Sequence, residues 1–271
     1  MDYFRLLDQI KKDHKALLEQ AYDKLTVADC FTTYIFEFRN HTYEIEFNLL
    51  TLDFKAKSRM PVSLRSKIKA KMIKEEYLKW KFKKEGRAFF DFLKLNYDAY
   101  DAIVFTDCES PDFIIHDQRH HGYEVTEATD MHNAKFNEAV YLLTGMEHTT
   151  KEFKAYIRQI ETTIQNKRKQ NPKEKEAHDA LHKRIVECIR KKAIKYYEYE
   201  IELDTRNVIV FNNRIGFRRL DDFKEIGLMI KEDPIIKKSL LDRIFIISGT
   251  HDVMVEYNKE GAIEKVVRKT S

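Results

Sequence analysis

A chain of 271 residues, 43% of them hydrophobic and including 18 Phe and 14 Tyr, can bury one large core or a core domain with an appendage. No apolar run approaches the ~20 residues that span a bilayer, and the opening Met1-Asp-Tyr-Phe-Arg5 lacks a secretion signal's basic start and long apolar centre. Three cysteines far apart in sequence, Cys30, Cys108 and Cys188, suit reduced thiols and a cytoplasmic setting. The net charge of +4 is unevenly spread: between Lys55 and Arg87 stand 13 Lys/Arg against Glu75, Glu76 and Glu85. Such a segment can contact phosphates, or be a solvated helical face. Tyr77, Trp80 and Phe82 interleave with it, able either to stack on bases or to face the core.

Residues 2–25 carry Leu6, Leu7, Ile10, Leu17, Leu18, Ala21 and Leu25 at helical spacing and predict an amphipathic helix. Residues 31–39 and 42–50 alternate apolar and polar around Arg39-Asn40-His41, which predicts a hairpin. Pro61 interrupts the chain, and the basic stretch to about Leu95 reads as helical. Residues 1–70 are expected to form an appendage on a core spanning 71–271.

Ala102–Phe105 reads as a short strand, and the stretch after it holds the strongest functional signal. Phe113–Ile115 and Tyr123–Val125 have strand composition, and the polar residues 116–122 suit a turn. A hairpin symmetric about Gln118 sets Asp112 directly opposite Glu124. Opposed residues point to one face with Cβ atoms about 5 Å apart, so the two carboxylates could share a hard cation such as Mg²⁺ or Mn²⁺. Such an ion can activate water against a phosphodiester. Alternation puts Thr126 on the face of Glu124, with Val125 and Glu127 on the other.

A helix is expected from about Met131 to Leu143, with Gly145 as its C-cap. Another opens at the Thr149-x-x-Glu152 capping box, carries a stripe from Phe153 to Ile164 and ends at Asn171-Pro172. Helical sequence near 150–180 suggests an insertion or arm. A third helix, from about Lys173 to Tyr199, carries Ile185, Cys188, Ile189, Lys192, Lys195 and Tyr196 on one stripe. Lys192 or Lys195 could reach the acidic pair, but the favoured reading has their stems packing on the sheet and their amines reaching water. Lys135 is a further candidate. Val208–Phe211 reads as a strand buried on both faces, 219–230 as a helix, and Arg243–Ile247 and Val253–Tyr257 as the last two strands, joined by the turn at 249–252. These elements predict an α/β fold: a central mixed sheet flanked by helices, with an N-terminal helix-plus-hairpin appendage.

His116, His120 and His121, with Cys108 nearby in sequence, offer zinc-ligand types. No Cys-x-x-Cys or His-x₃-His helix supports a zinc site, so an exposed polar loop is the expectation, from which His120 or His121 could contact DNA or assist proton transfer. Glycine-rich phosphate loops and a Gly-x-Ser-x-Gly elbow are absent.

The run Pro111-Asp112, a spacer, then Glu124-Val125-Thr126 resembles the motif of the PD-(D/E)XK nuclease superfamily, whose fold is that of restriction endonucleases. The resemblance covers roughly 80–260, and "PDF … YEVTE" is most similar to bacterial and phage-type members. Thr126 stands where the family has lysine. The resemblance implies a Mg²⁺-dependent endonuclease acting on DNA, with Asp112, Glu124 and the Val125 carbonyl as metal ligands. Glu85 is the best match to the acidic residue that members add from a preceding helix, and Thr126 could hydrogen-bond the attacking water or the phosphate. A homodimer is a further expectation. The alternative is an inactive nuclease-like fold that binds nucleic acid or a protein partner.

Overall fold

The structure, a computed structural model, describes residues 1–19, 24–73, 80–108, 110–128, 174–212, 220–248 and 253–268, with backbone alone at 18, 69–73, 80–84, 174–178 and 220. The elements expected at 131–172, the turn at 249–252, and the side chains of Tyr77, Trp80, Phe82 and Lys135 lie outside the described residues.

The α/β class is as the pattern predicted. Eight strands form one mixed sheet: β1 (Leu25–Thr26), β5 (Val104–Asp107), β6 (Phe113–His116), β7 (His120–Glu127), β8 (Thr205–Phe211), β9 (Arg243–Ile247), β10 (Val253–Asn258) and β11 (Ile263–Arg268), adjacent in that order. The pairs β5–β6 and β6–β7 are antiparallel, whereas β7–β8 and β8–β9 are parallel. Parallel neighbours need a crossover, and α4 (Glu174–Lys195) lies in the chain between β7 and β8.

Helices cover both faces. On one, Phe89, Phe92 and Leu93 of α3 (Trp80–Asn96) share a core with Phe105, Phe113, Tyr123, Val125, Ile209 and Phe245. On the other, Ile185, Cys188 and Ile189 of α4 and Phe223, Ile226 and Ile230 of α5 (Leu220–Glu232) pack on Ile114, Val208, Val210, Ile244 and Ile246. Strand β8 shows why its sequence is continuously apolar: Val208 and Val210 serve one core, Ile209 and Phe211 the other. The short helix α6 (Pro234–Lys238) follows α5 and is capped by Asp233, whose Oδ1 accepts from the Ile235 and Ile236 amides.

The N-terminal segment holds α1 (Tyr3–Glu19) and a second sheet of β2 (Phe31–Phe38), β3 (His41–Asn48) and β4 (Phe54–Ala56), followed by α2 (Val62–Ile73). Arg39 and Asn40 both take positive φ, 51° and 60°, in the two-residue turn of the β2–β3 hairpin. The inner face, Tyr34, Phe36, Ile45 and Phe47, joins Leu6, Leu7 and Ile10 in the same apolar cluster as α3. Residues 1–70 thus share a core with the large sheet and give it an edge strand, β1.

Several boundaries differ from expectation. Leu25 lies in β1 rather than in the first helix, because it pairs with Phe105. The strand expected at 102–105 runs over 104–107, because Tyr100–Ala102 form a 3₁₀ turn. The turn expected at 116–122 is confined to 117–119: His116 pairs with His120, and the Asp117 carboxylate accepts the Arg119 amide. A strand beyond the expected last two, β11, pairs with β10. Among the described residues no helix is long and apolar enough to cross a membrane.

Candidate active site

Strand β6 pairs with β7 as Phe113↔Tyr123, Ile114↔Gly122, Ile115↔His121 and His116↔His120. One further step of this register sets Asp112 against Glu124, the relation that symmetry about Gln118 requires. Two packing features hold the strand. Phe89 stacks on Phe113 with centroids 4.0 Å apart. Gly122 leaves room for Pro111 and Leu203: a Cβ there would lie 2.6 Å from Leu203 Cδ1 and 3.2 Å from Pro111 Cγ.

Asp112 and Glu124 are 6% and 0% exposed, so both carboxylates are withdrawn from bulk water and need partners. Asp112 Oδ2 accepts the Val125 amide at 2.7 Å and the Lys192 ammonium at 3.1 Å. Lys192 also donates to Glu124 Oε2. Glu124 Oε1 accepts from the Tyr199 hydroxyl, and Lys195 Nζ lies 3.6 Å from it. Lysine 192 was expected to send its amine to water. Instead its side chain is 13% exposed and bonds both acids, because α4 crosses β7 where these carboxylates need a cation.

Burial alone would lower the Lys192 pKa, but Asp112 and Glu124 outweigh it and hold the ammonium above the ordinary lysine range. Burial, then the Asp112 charge, raises the pKa of Glu124 against the pull of Lys192 and Lys195. A third acid, missed in the sequence, belongs to this field. Asp107 ends β5, and burial, then Asp112, then Glu85, push its carboxyl up to about 7. Asp107 pairs with Phe113 and by alternation shares its face, toward α3, whereas Glu124 faces α4. Glu85 stands on α3 and reaches this cluster through its charge on Asp107.

Thr126 lies two residues beyond Glu124 on the same face of β7, beside the Cys188 thiol. Cys188 and Lys192 are one helical turn apart on α4, so Thr126 sits by Cys188 while Glu124 sits by Lys192. The ammonium therefore reaches the acids from the helix rather than from the strand. The Val125 amide is committed to Asp112, and its side chain is fully buried.

The donor set fits a hard divalent cation. Its oxygens on the α4 face are the buried carboxylates of Asp112 and Glu124, and Glu124 is held above its ordinary pKa by burial and by the charge of Asp112, a strain that such a cation would relieve. The histidines are engaged separately. His116 contacts the Thr106 hydroxyl, His120 lies 3.9 Å from Asp204, and His121 contacts Thr205 and Asp117.

No family model matches the chain, and no curated protein and no solved structure matches it either.

Proposed function

We propose that the chain is a metal-dependent nuclease of the PD-(D/E)XK kind in which Lys192 takes the part of the motif lysine. The observation that carries this reading is the Lys192 ammonium bonded to both Asp112 and Glu124, from a helix that crosses over between two parallel strands. The order α3-β5-β6-β7-α4-β8, with three antiparallel strands and then a parallel one, supports it, because it sets Asp112 at the start of β6, Glu124 on the neighbouring β7 and the lysine on the crossover helix.

Asp112, Glu124 and the Val125 carbonyl would hold Mg²⁺ or Mn²⁺, which when bound lowers the pKa of water and offsets phosphate charge. The protein's own groups do the positioning. The Val125 amide fixes Asp112, and Tyr199 fixes Glu124. Lys192 supplies a positive charge that can orient water or the scissile phosphate, the part Thr126 cannot play. Glu85 and Asp107 extend the acidic field on the α3 side. DNA is the proposed substrate, and the exposed Lys55, Arg59, Arg65 and Lys67 give the protein cations to meet its backbone.

One observation favours a second reading, a nuclease-like fold that binds without cutting: the Lys192 ammonium bridges both carboxylates, and Lys195 stands 3.6 Å from Glu124, so the acids have cationic partners without a metal. Cleavage of single-stranded DNA, duplex DNA and RNA, with and without Mn²⁺, separates the two when paired with Mn²⁺ calorimetry. The nuclease reading expects Mn²⁺-dependent cutting that Asp112→Asn and Glu124→Gln each abolish, with Mn²⁺ binding lost in Asp112→Asn. Absence of both cutting and Mn²⁺ binding in the unmodified protein would favour the second.

A further inference from the structure

Helices α4 and α5 each present ligand-type residues three positions apart: Asp179 and His182 on α4, Asp222 and Glu225 on α5. Residues at this spacing share one helix face, and here the two faces meet. The His182 imidazole is 2% exposed, with Nδ1 3.2 Å from Glu225 Oε2 and Nε2 3.5 Å from Asp222 Oδ1. Ligand atoms of Asp179, His182 and Glu225 all lie within 4.8 Å of one another.

We infer that this is a second cation site, distinct from the Asp112–Glu124 centre, and that it takes a borderline divalent ion of the Zn²⁺ class. Three features lead there. An imidazole beside two carboxylates is a mixed nitrogen–oxygen donor set, which suits zinc better than the all-oxygen set at Asp112 and Glu124 suits it. The buried imidazole is oriented from its far side by Asp222, whose side chain is 13% exposed, the carboxylate–histidine arrangement that fixes the tautomer of a metal ligand. Asp179 and Glu225 lie on the solvent side, so the ion has a way in and a place for water as a further ligand.

The site would act as a staple. His182 stands ten residues before Lys192 on α4, about 15 Å along the helix axis. An ion joining α4 to α5 would fix the helix that delivers the Lys192 ammonium. The site does not depend on the nuclease reading, because none of its ligands belongs to the acidic centre.

The test is Zn²⁺ calorimetry and thermal melting of the full chain carrying Asp112→Asn, which removes the competing acidic site. In that background Asp179→Asn and Glu225→Gln, both at exposed positions, test the ligands without opening the core. We expect one Zn²⁺ per chain, an affinity at least tenfold weaker in each variant, and a Zn²⁺-dependent rise in melting temperature that both variants lose. Unchanged Zn²⁺ affinity in the two variants, or no Zn²⁺ binding in the Asp112→Asn chain, would overturn the assignment.

Discussion

The Lys192 ammonium lies 3.1 Å from the Asp112 carboxylate across 80 positions of sequence, and the same ammonium bonds Glu124. The acids at the start of β6 and on β7 are buried where α4 brings a cation to them. Removing that cation leaves two buried carboxylates short of charge, a loss that typically costs about 3–5 kcal/mol. Lys195, 3.6 Å from Glu124, offsets part of it. Lys192→Met should thus destabilise the protein by about 3 kcal/mol in urea unfolding. Adding Asp112→Asn should cost less than the two single losses combined, because both changes break one network. Strict additivity would show that the contact carries no stability.

Asp107 makes stability depend on pH. Its carboxyl ionises near 7 in the folded protein, raised by burial, Asp112 and Glu85, whereas a free aspartate ionises near pH ~4. The folded state thus keeps a proton that the unfolded chain has lost. This contribution is fully present below the unfolded pKa and disappears as pH rises through about 7. Asp107→Asn removes the ionisation, so its stability relative to the unmodified protein should improve between pH ~5 and ~8, by on the order of 2–4 kcal/mol at one pKa unit per ~1.4 kcal/mol. Urea midpoints across that range measure it. Parallel profiles for the two proteins would contradict the assignment.

Gly122 lets Pro111 and Leu203 close over the hairpin. In Gly122→Ala the Leu203 side chain can swing away, but Pro111, 3.2 Å from the new methyl carbon, must shift and take Asp112 with it. A loss of about 1–2 kcal/mol is expected from overpacking, together with weaker Mn²⁺ binding. A variant that loses stability yet binds Mn²⁺ normally would separate the packing from the site.

The sequence made some of this legible and hid the rest for physical reasons. The Asp112–Glu124 register could be read because short apolar runs flank a polar stretch with a single symmetric centre, Gln118. Strands β8 and β9 could be read because burial on both faces makes them continuously apolar. Strand β11 could not, because Ile263–Arg268 is a largely exposed edge with no clean alternation. Asp107 was missed because its strand runs two residues past the apolar run that announced it. The stripe on α4 was visible, but a lysine that snorkels and one that bridges two acids have the same sequence. Only the placement of α4 against β7 decides between them.

The proposed nuclease reading gives Lys192 the part of a lysine at position 126, and placing a lysine there tests it. Thr126 lies on the face of Glu124, two strand positions away at about 3.3 Å per residue, well within the reach of a lysine side chain. Its present neighbour is Cys188, so Thr126→Lys combined with Cys188→Ala makes room for the longer stem. Lys192→Met should abolish Mn²⁺-dependent cleavage. Adding Thr126→Lys and Cys188→Ala to it should recover cutting at least tenfold, because the ammonium again stands beside Glu124. Single-turnover cleavage of duplex DNA gives the rate, and Mn²⁺ calorimetry confirms that the triple variant keeps its acidic pair. A triple variant that folds and binds Mn²⁺ but stays as inactive as Lys192→Met would show that the two lysine positions are not equivalent.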